Sequence, residues 1–158
     1  MGNPATRLIP FELTVCGIGE LARYATGRVS HVLSLLDPGL VERPSFAAFG
    51  EHRRLELCFD DILEHREGQV APQRSHVDAI LRFASDLLID PPSEAHLLVH
   101  CHMGISRSSA ALAVILARLR PDLPAPQILA EVLRVRRHAW PNLRLIELGM
   151  PRWTARGN

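Results

Sequence analysis

The 158-residue sequence contains no lysine, and its 18 basic side chains other than histidine are all arginine. Two readings of that absence stand side by side: guanidinium geometry suited to oxyanions, or a compositional bias of the genome. With 17 acids the formal net charge is +1, which exerts no overall pull toward nucleic acid or a membrane surface. The balance is uneven along the chain. Residues 107–158 hold 9 arginines against 3 acids, and residues 1–106 hold 9 against 14. Aromatics make up only 5 % of the residues, and no aromatic ladder accompanies the basic third, so a nucleic-acid partner is not expected. Three cysteines, Cys16, Cys58 and Cys101, are too few and too unevenly spaced for a disulfide framework. No apolar run reaches the length of a membrane span and no signal peptide is visible. The expected setting is cytoplasmic and reducing. Met1-Gly2-Asn3-Pro4-Ala5-Thr6 fits the loose myristoylation pattern, but a frayed terminus is the simpler reading. Repeats and inter-domain linkers are absent too, and the length suits one domain with a real core.

What is present centres on His100-Cys101-His102-Met103-Gly104-Ile105-Ser106-Arg107-Ser108. Leu97-Leu98-Val99 before it suits a buried strand, and Ser109–Leu119 after it reads as a helix with almost no polar face. Strand, glycine-containing loop and helix N-terminus together form an anion cradle, because successive amide N–H groups point inward and the helix dipole adds partial positive charge.

Around this loop the chain alternates strands and helices. Strands are expected at 11–16, 32–36 and 55–59, and an amphipathic helix from Ser75 to Leu88, with Ser75 and Asp78 resembling a capping box. Gly17-Ile18-Gly19 lacks the third glycine of a dinucleotide fingerprint and reads as a turn, followed by a short helix ending near Gly27. Asp37-Pro38-Gly39 reads as a turn, residues 40–50 and 66–74 as loops, and Pro91-Pro92 as a helix stop. A further helix is expected over 127–137, where Arg134, Arg136 and Arg137 suit the C-terminus and need no function. Pro141-Asn142 opens a last helix through Leu148. The fold class is thus α/β: one domain over residues 1–150 with a central, mostly parallel sheet flanked by helices, and a frayed tail over 151–158. It is expected to act as a monomer.

Cysteine attacks as thiolate, which a helix N-terminus, inward amides and a neighbouring arginine all favour. Cys101 is therefore the candidate nucleophile, and Arg107 the bidentate ligand of a phosphate-like anion that His102, Met103, Gly104, Ile105 and Ser106 would also line. Attack would give a cysteinyl phosphate, later broken down by water, without cofactor or metal. Gly104 would relieve crowding where the backbone bends. Ser108 can donate to the Cys101 sulfur as it leaves. His100 is expected to pin the loop rather than act as base, and His102 is either a substrate contact or a solvated loop residue. The leaving oxygen needs a proton. Asp60 and Asp61, at the carboxyl end of the third strand, are the best carboxyls on offer because open α/β sheets gather their chemistry there. Asp61 is preferred as lying further out, with Asp60 in support. Alternation alone leaves the two open, with Glu64 and Glu67 behind them.

His100-Cys101-x-x-Gly104-x-x-Arg107-Ser108 resembles the signature loop of the protein tyrosine phosphatase superfamily, and of its compact dual-specificity branch most. With ordinary residue usage, a chance match at all five fixed positions is of order 10⁻⁵. Phe59-Asp60-Asp61 is similar to the acid stretch of small dual-specificity enzymes, where the second Asp is the general acid, which implies that role for Asp61. Arg137 and Pro141-Asn142 resemble their C-terminal end. The likeness covers roughly residues 30–150, and small bacterial enzymes of this type are similar in size. It implies phosphotyrosine, with or without phosphoserine and phosphothreonine, as substrate. A nucleotide, RNA end or small phosphate ester is the alternative. The interval from Asp61 to Cys101 is longer than usual in that branch, and the loop lacks the lysines of inositol-lipid phosphatases.

Three rivals compete. A sulfur-transfer or arsenate-reducing enzyme would need a different loop length or redox partners for Cys101, and Cys16 and Cys58 fall in expected strands. A metal site on His100-Cys101-His102 fails because adjacent side chains diverge. A non-catalytic phosphate-binding module would be expected to lose Cys101 or the acid.

Overall fold

The computed structural model describes residues 8–25, 28–89 and 94–154. Among these residues four parallel strands form one sheet: β1 (Glu12–Gly17), β2 (His31–Leu36), β3 (Arg53–Cys58) and β4 (His96–Cys101), in the order β1-β4-β2-β3. The last strand of the sequence thus lies in the interior, between β1 and β2. There its apolar run Leu97-Leu98-Val99 is fully buried on both faces, as parallel strands require.

Alternation sorts the side chains between two unequal layers. Leu33, Leu35, Leu97, Val99 and Cys101 face a large core, whereas Val32, Cys16 and Leu98 face a smaller one. Helices α1 (Arg74–Asp86), α2 (Arg107–Leu119), α3 (Ala125–Val135) and α4 (Leu143–Gly149) supply the large core. The small one is closed by the 3-10 helix Ile18–Tyr24, through Leu21, and by Phe46 in the loop after β2. The stretch read as lacking a polar face, α2, is buried without interruption from Arg107 to Ala117, which makes it the axis against which α1, α3 and α4 pack. Deleting a side chain there, such as Leu112→Ala, would cost about 2–5 kcal/mol.

Three local expectations are corrected. Helix α1 begins at Arg74, not after Ser75: the Gln73 N–H donates to His76 Nδ1 (3.0 Å), and Asp78 instead pairs with Arg74 (3.3 Å). Helix α3 starts at Ala125 because Pro126 falls in the first turn, where its missing N–H is harmless. It ends at Val135, so Arg136 and Arg137 lie beyond it. Residues 151–154, expected to fray, form the short helix α5 (Pro151–Thr154), whose Trp153 packs on the core. Residues 155–158, the hexapeptide at the start, Gly27 and Pro91-Pro92 lie outside the described residues. No helix among those described is long and apolar enough to cross a membrane.

Candidate active site

Strand β4 ends at Cys101 and α2 begins at Arg107, so the loop between them sits at the carboxyl edge of the sheet. Each of its carbonyls is engaged from outside. His102 O accepts from Ile18 N (3.0 Å), Met103 O from Arg136 Nη2 (3.1 Å) and Gly104 O from Arg136 Nε (3.1 Å). Ile105 O accepts from Trp140 N (2.8 Å), and Ser106 O from Asn142 N (3.0 Å) and Ala110 N (3.1 Å). In a trans peptide the C=O and N–H point opposite ways, and no cis bond occurs among the described residues. The outward carbonyls therefore turn the following amides toward the loop interior, and the Gly104 N–H donates to Cys101 Sγ (3.2 Å).

Two glycines permit this curl. Gly104 has φ +71°, and a Cβ there would lie 2.5 Å from the Cys16 carbonyl carbon. A Cβ on Gly17 would lie 2.8 Å from His102 O. Gly17, read from sequence as part of a turn, is the last residue of β1 and lets that strand pass directly behind the loop.

Cys101 is buried, with Ser108 Oγ 3.1 Å from its sulfur. Toward a thiolate only the hydroxyl can donate, so Ser108 and Gly104 both point donors at that atom. Arg107 is buried as well. Its Nη1 donates to Phe59 O (2.7 Å) and pairs with Asp37 Oδ1 (2.9 Å), while its Nε–H is buried without a partner among the described residues. A buried guanidinium donor left over in this way calls for an acceptor, and the open edge of the fork suits an oxyanion. Asp37, taken from sequence as a turn residue, anchors that arginine instead.

His100 Nε2 lies 2.7 Å from Ser34 Oγ on the neighbouring strand. Burial above all pushes its pKa down from 6.5 to about 4, so the ring is neutral. The contact ties the residue before Cys101 to β2. His102 is exposed, and its ring has no partner among the described residues. Met103 is exposed, and Ile105 and Ser106 are half-buried.

The two aspartates diverge. Asp60 turns away: its N–H donates to Val70 O and its Oδ2 accepts from Val70 N, both 2.7 Å, closing the base of the 60–70 loop. Asp61 leans over the cradle, where Oδ1 accepts from Ser106 Oγ (2.7 Å) and from Asn142 Nδ2 (2.8 Å). Asn142 also donates to Ile62 O (3.2 Å) and caps α4 by accepting from Leu145 N (3.0 Å). Glu64 and Glu67 lie exposed further along the same loop, and among the described residues neither has a hydrogen bond or ion pair to the cradle.

The arginines after α3 do more than complement a helix end. Arg134 pairs with Glu131 on its own helix, but Arg136 grips two loop carbonyls and forms a two-point ion pair with Glu20. Sequence reasoning missed Arg136, Glu20, Ser34 and Asp37, since each acts across a long sequence interval. All three cysteines are free thiols. Cys16 pairs in register with His100 and faces the opposite core, its pKa pushed up by burial to about 12, and Cys58 ends β3. Among the described residues no three His, Cys, Asp or Glu side chains converge as a metal shell.

No family model and no curated protein matches the sequence. Solved structures do. The human tyrosine phosphatase-like serine/threonine/tyrosine-interacting protein matches at TM-score 0.68 and 17 % identity, with 93 % of each chain covered. The Yvh1 phosphatase domain from Chaetomium thermophilum matches at 0.60 and 28 %, with 90 % of each covered. DUSP15 matches at 0.66 and 18 %, over 95 % of this chain and 87 % of that one. A parallel sheet carrying a strand–loop–helix anion cradle, matched in this way, has the fold of the protein tyrosine and dual-specificity phosphatases.

Proposed function

We propose that the protein is a cysteine-dependent phosphatase acting on phosphotyrosine, and on phosphoserine or phosphothreonine where they reach the cradle. The observation that carries this reading is the Arg107 Nε–H, buried without a partner among the described residues, at the end of a loop whose Gly104 amide donates to the Cys101 sulfur. Donors fixed in advance around a phosphoryl group stabilise charge that grows in the transition state, where stabilisation counts for rate.

Cys101 Sγ attacks phosphorus, the P–O bond breaks, and Asp61 gives its proton to the leaving oxygen. Water then attacks the cysteinyl phosphate, Asp61 takes a proton from it, and the S–P bond breaks as Ser108 donates to the departing sulfur. The products are the free hydroxyl and inorganic phosphate. Asp61 suits both proton transfers because Ser106 and Asn142 hold it toward the loop, whereas Asp60 is occupied with Val70. Here Cys101, Arg107 and Asp61 are all present.

Hydrolysis of p-nitrophenyl phosphate in excess EDTA tests the proposal. Turnover is expected to persist, and to vanish in Cys101→Ser. Activity that depends on added divalent metal, or survives loss of the thiol, would overturn it.

A further inference from the structure

The strand of chain that backs the loop also carries its most exposed aromatic side chain. From Arg136 to Asn142 the chain runs beside the loop, the Arg136 guanidinium meeting carbonyls 103 and 104 and the Trp140 and Asn142 N–H groups meeting carbonyls 105 and 106. Trp140 lies midway, its N–H given to Ile105 O, yet its side chain is 80 % exposed. Leu143 follows the acid-holding Asn142 and is 51 % exposed; Met103, inside the loop, is 59 % exposed. On the segment that carries Asp61, Leu63 is 57 % exposed, one residue past the Ile62 carbonyl that Asn142 holds. Single exposed apolar side chains are ordinary. Four on segments bonded to one another around one anion cradle mark a binding rim.

We propose that Trp140, with Leu143 and Leu63, forms an apolar shelf that receives an aromatic or large aliphatic side chain next to the phosphorylated residue of a peptide substrate. This rests on the phosphatase reading and names the substrate sequence that the same site prefers. The occupant is a peptide rather than a lipid surface because the rim has no basic excess. Asp61, Glu64 and Glu67 are exposed beside Leu63, set against Arg66 on that loop and Arg137 next to Trp140. An anionic leaflet is drawn by clustered basic residues and repelled by such carboxylates. Trp140 also has the properties of an anchor: large area, few rotatable bonds, and a backbone already fixed to the loop.

The test uses the full chain with Trp153→Phe, so that Trp140 is the sole indole. Two phosphotyrosine peptides differ only in Leu or Ser at the residues flanking the phosphotyrosine. With Cys101→Ser, the Leu peptide is expected to bind on the order of tenfold tighter and to shift the Trp140 emission to shorter wavelength. In the active chain the same preference should appear in KM, with kcat similar for the two peptides. Trp140→Ala should erase the preference, while p-nitrophenyl phosphate turnover and orthovanadate inhibition stay as they were. Leu63→Ser is the second variant, expected to reduce the preference in the same direction. Equal affinity for both peptides, or a preference untouched in Trp140→Ala, overturns the proposal. So does an emission shift with phosphatidylserine vesicles and none with peptide, which would make the shelf a membrane contact. The two readings fail separately. Selective binding without hydrolysis in the active chain would remove the phosphatase and keep the shelf, and hydrolysis without selectivity would do the reverse.

Discussion

Arg136 and Glu20, 116 positions apart, meet through two hydrogen bonds of 3.0 and 2.6 Å. The same guanidinium holds the Met103 and Gly104 carbonyls, and Glu20 Oε1 accepts the Gly17 N–H (3.1 Å). The pair thus joins the end of β1, the segment after α3 and the back of the anion loop. The Arg136 hydrogen bond, more than any other influence, holds the Glu20 carboxyl down at about 2 from its usual 4.5. The clamp therefore does not titrate in any ordinary working range.

Removing the clamp should loosen the amides it holds inward. Hydrogen bonds to a charged group contribute about 1.5–3 kcal/mol, so Arg136→Ala is expected to weaken orthovanadate inhibition by roughly 10- to 100-fold. Glu20→Gln keeps an acceptor for Gly17 and should fall between that variant and the wild type. Orthovanadate inhibition constants for the three proteins check the order.

Asp61→Asn should lower turnover of tyrosyl or alkyl phosphates by the ~10²–10⁴ of lost acid catalysis. For p-nitrophenyl phosphate the loss should be milder, because that leaving group needs little help. Asp60→Asn, Glu64→Gln and Glu67→Gln should do much less. Asn142→Asp keeps an acceptor for the Leu145 N–H but sets a second carboxyl against Asp61, so it too should suppress poor leaving groups selectively. A loss uniform across all substrates would indicate misfolding or lost binding. Kinetics of the five variants on both leaving-group classes decide the matter.

Cys101→Ser should abolish turnover yet still bind phosphate analogues such as tungstate, because the loop amides survive. Arg107→Lys should lose both, since a point charge cannot reproduce a planar fork held at one edge by Phe59 O and Asp37. Asp37→Asn keeps an acceptor for Nη1 and should cost about tenfold or less in kcat/KM. Tungstate titration calorimetry beside steady-state kinetics separates the three.

Stability should fall with acidity in two steps. His100 is held neutral by burial, at about 4 against an ordinary 6.5. Between those values the unfolded chain takes up a proton that the folded chain refuses, so stability is full above pH 6.5 and declines toward pH 4. The Glu20 contribution is whole above about 4.5 and drains away only toward pH 2. Urea midpoints from pH 7 to pH 4 check the first step, and His100→Asn should lessen the decline across that interval, the remainder coming from His76 and His96, which burial also holds below their ordinary value.

The strand–loop–helix shape around residues 100–108 was open to reading because it is local. Cysteine, glycine, arginine and serine at set spacings, between an apolar strand and an apolar helix, determine a cradle through backbone sterics and side-chain reach alone. The periods of two and near four residues likewise determined the strands, the central helix α2 and the α/β class. The partners were decided elsewhere. Strand order β1-β4-β2-β3 sets Gly17 behind the loop, Ser34 beside His100 and Asp37 against Arg107, and no sequence period encodes such neighbours. The choice between Asp60 and Asp61 as the residue facing the cradle depended on Asn142, 81 positions from Asp61. Arg136 looked like an ordinary helix-end charge until α3 ended one residue before it. Local propensity acts over a few residues along the chain. The contacts that shape this loop span tens to more than a hundred, and only the packing of the sheet and helices brings them within hydrogen-bond distance.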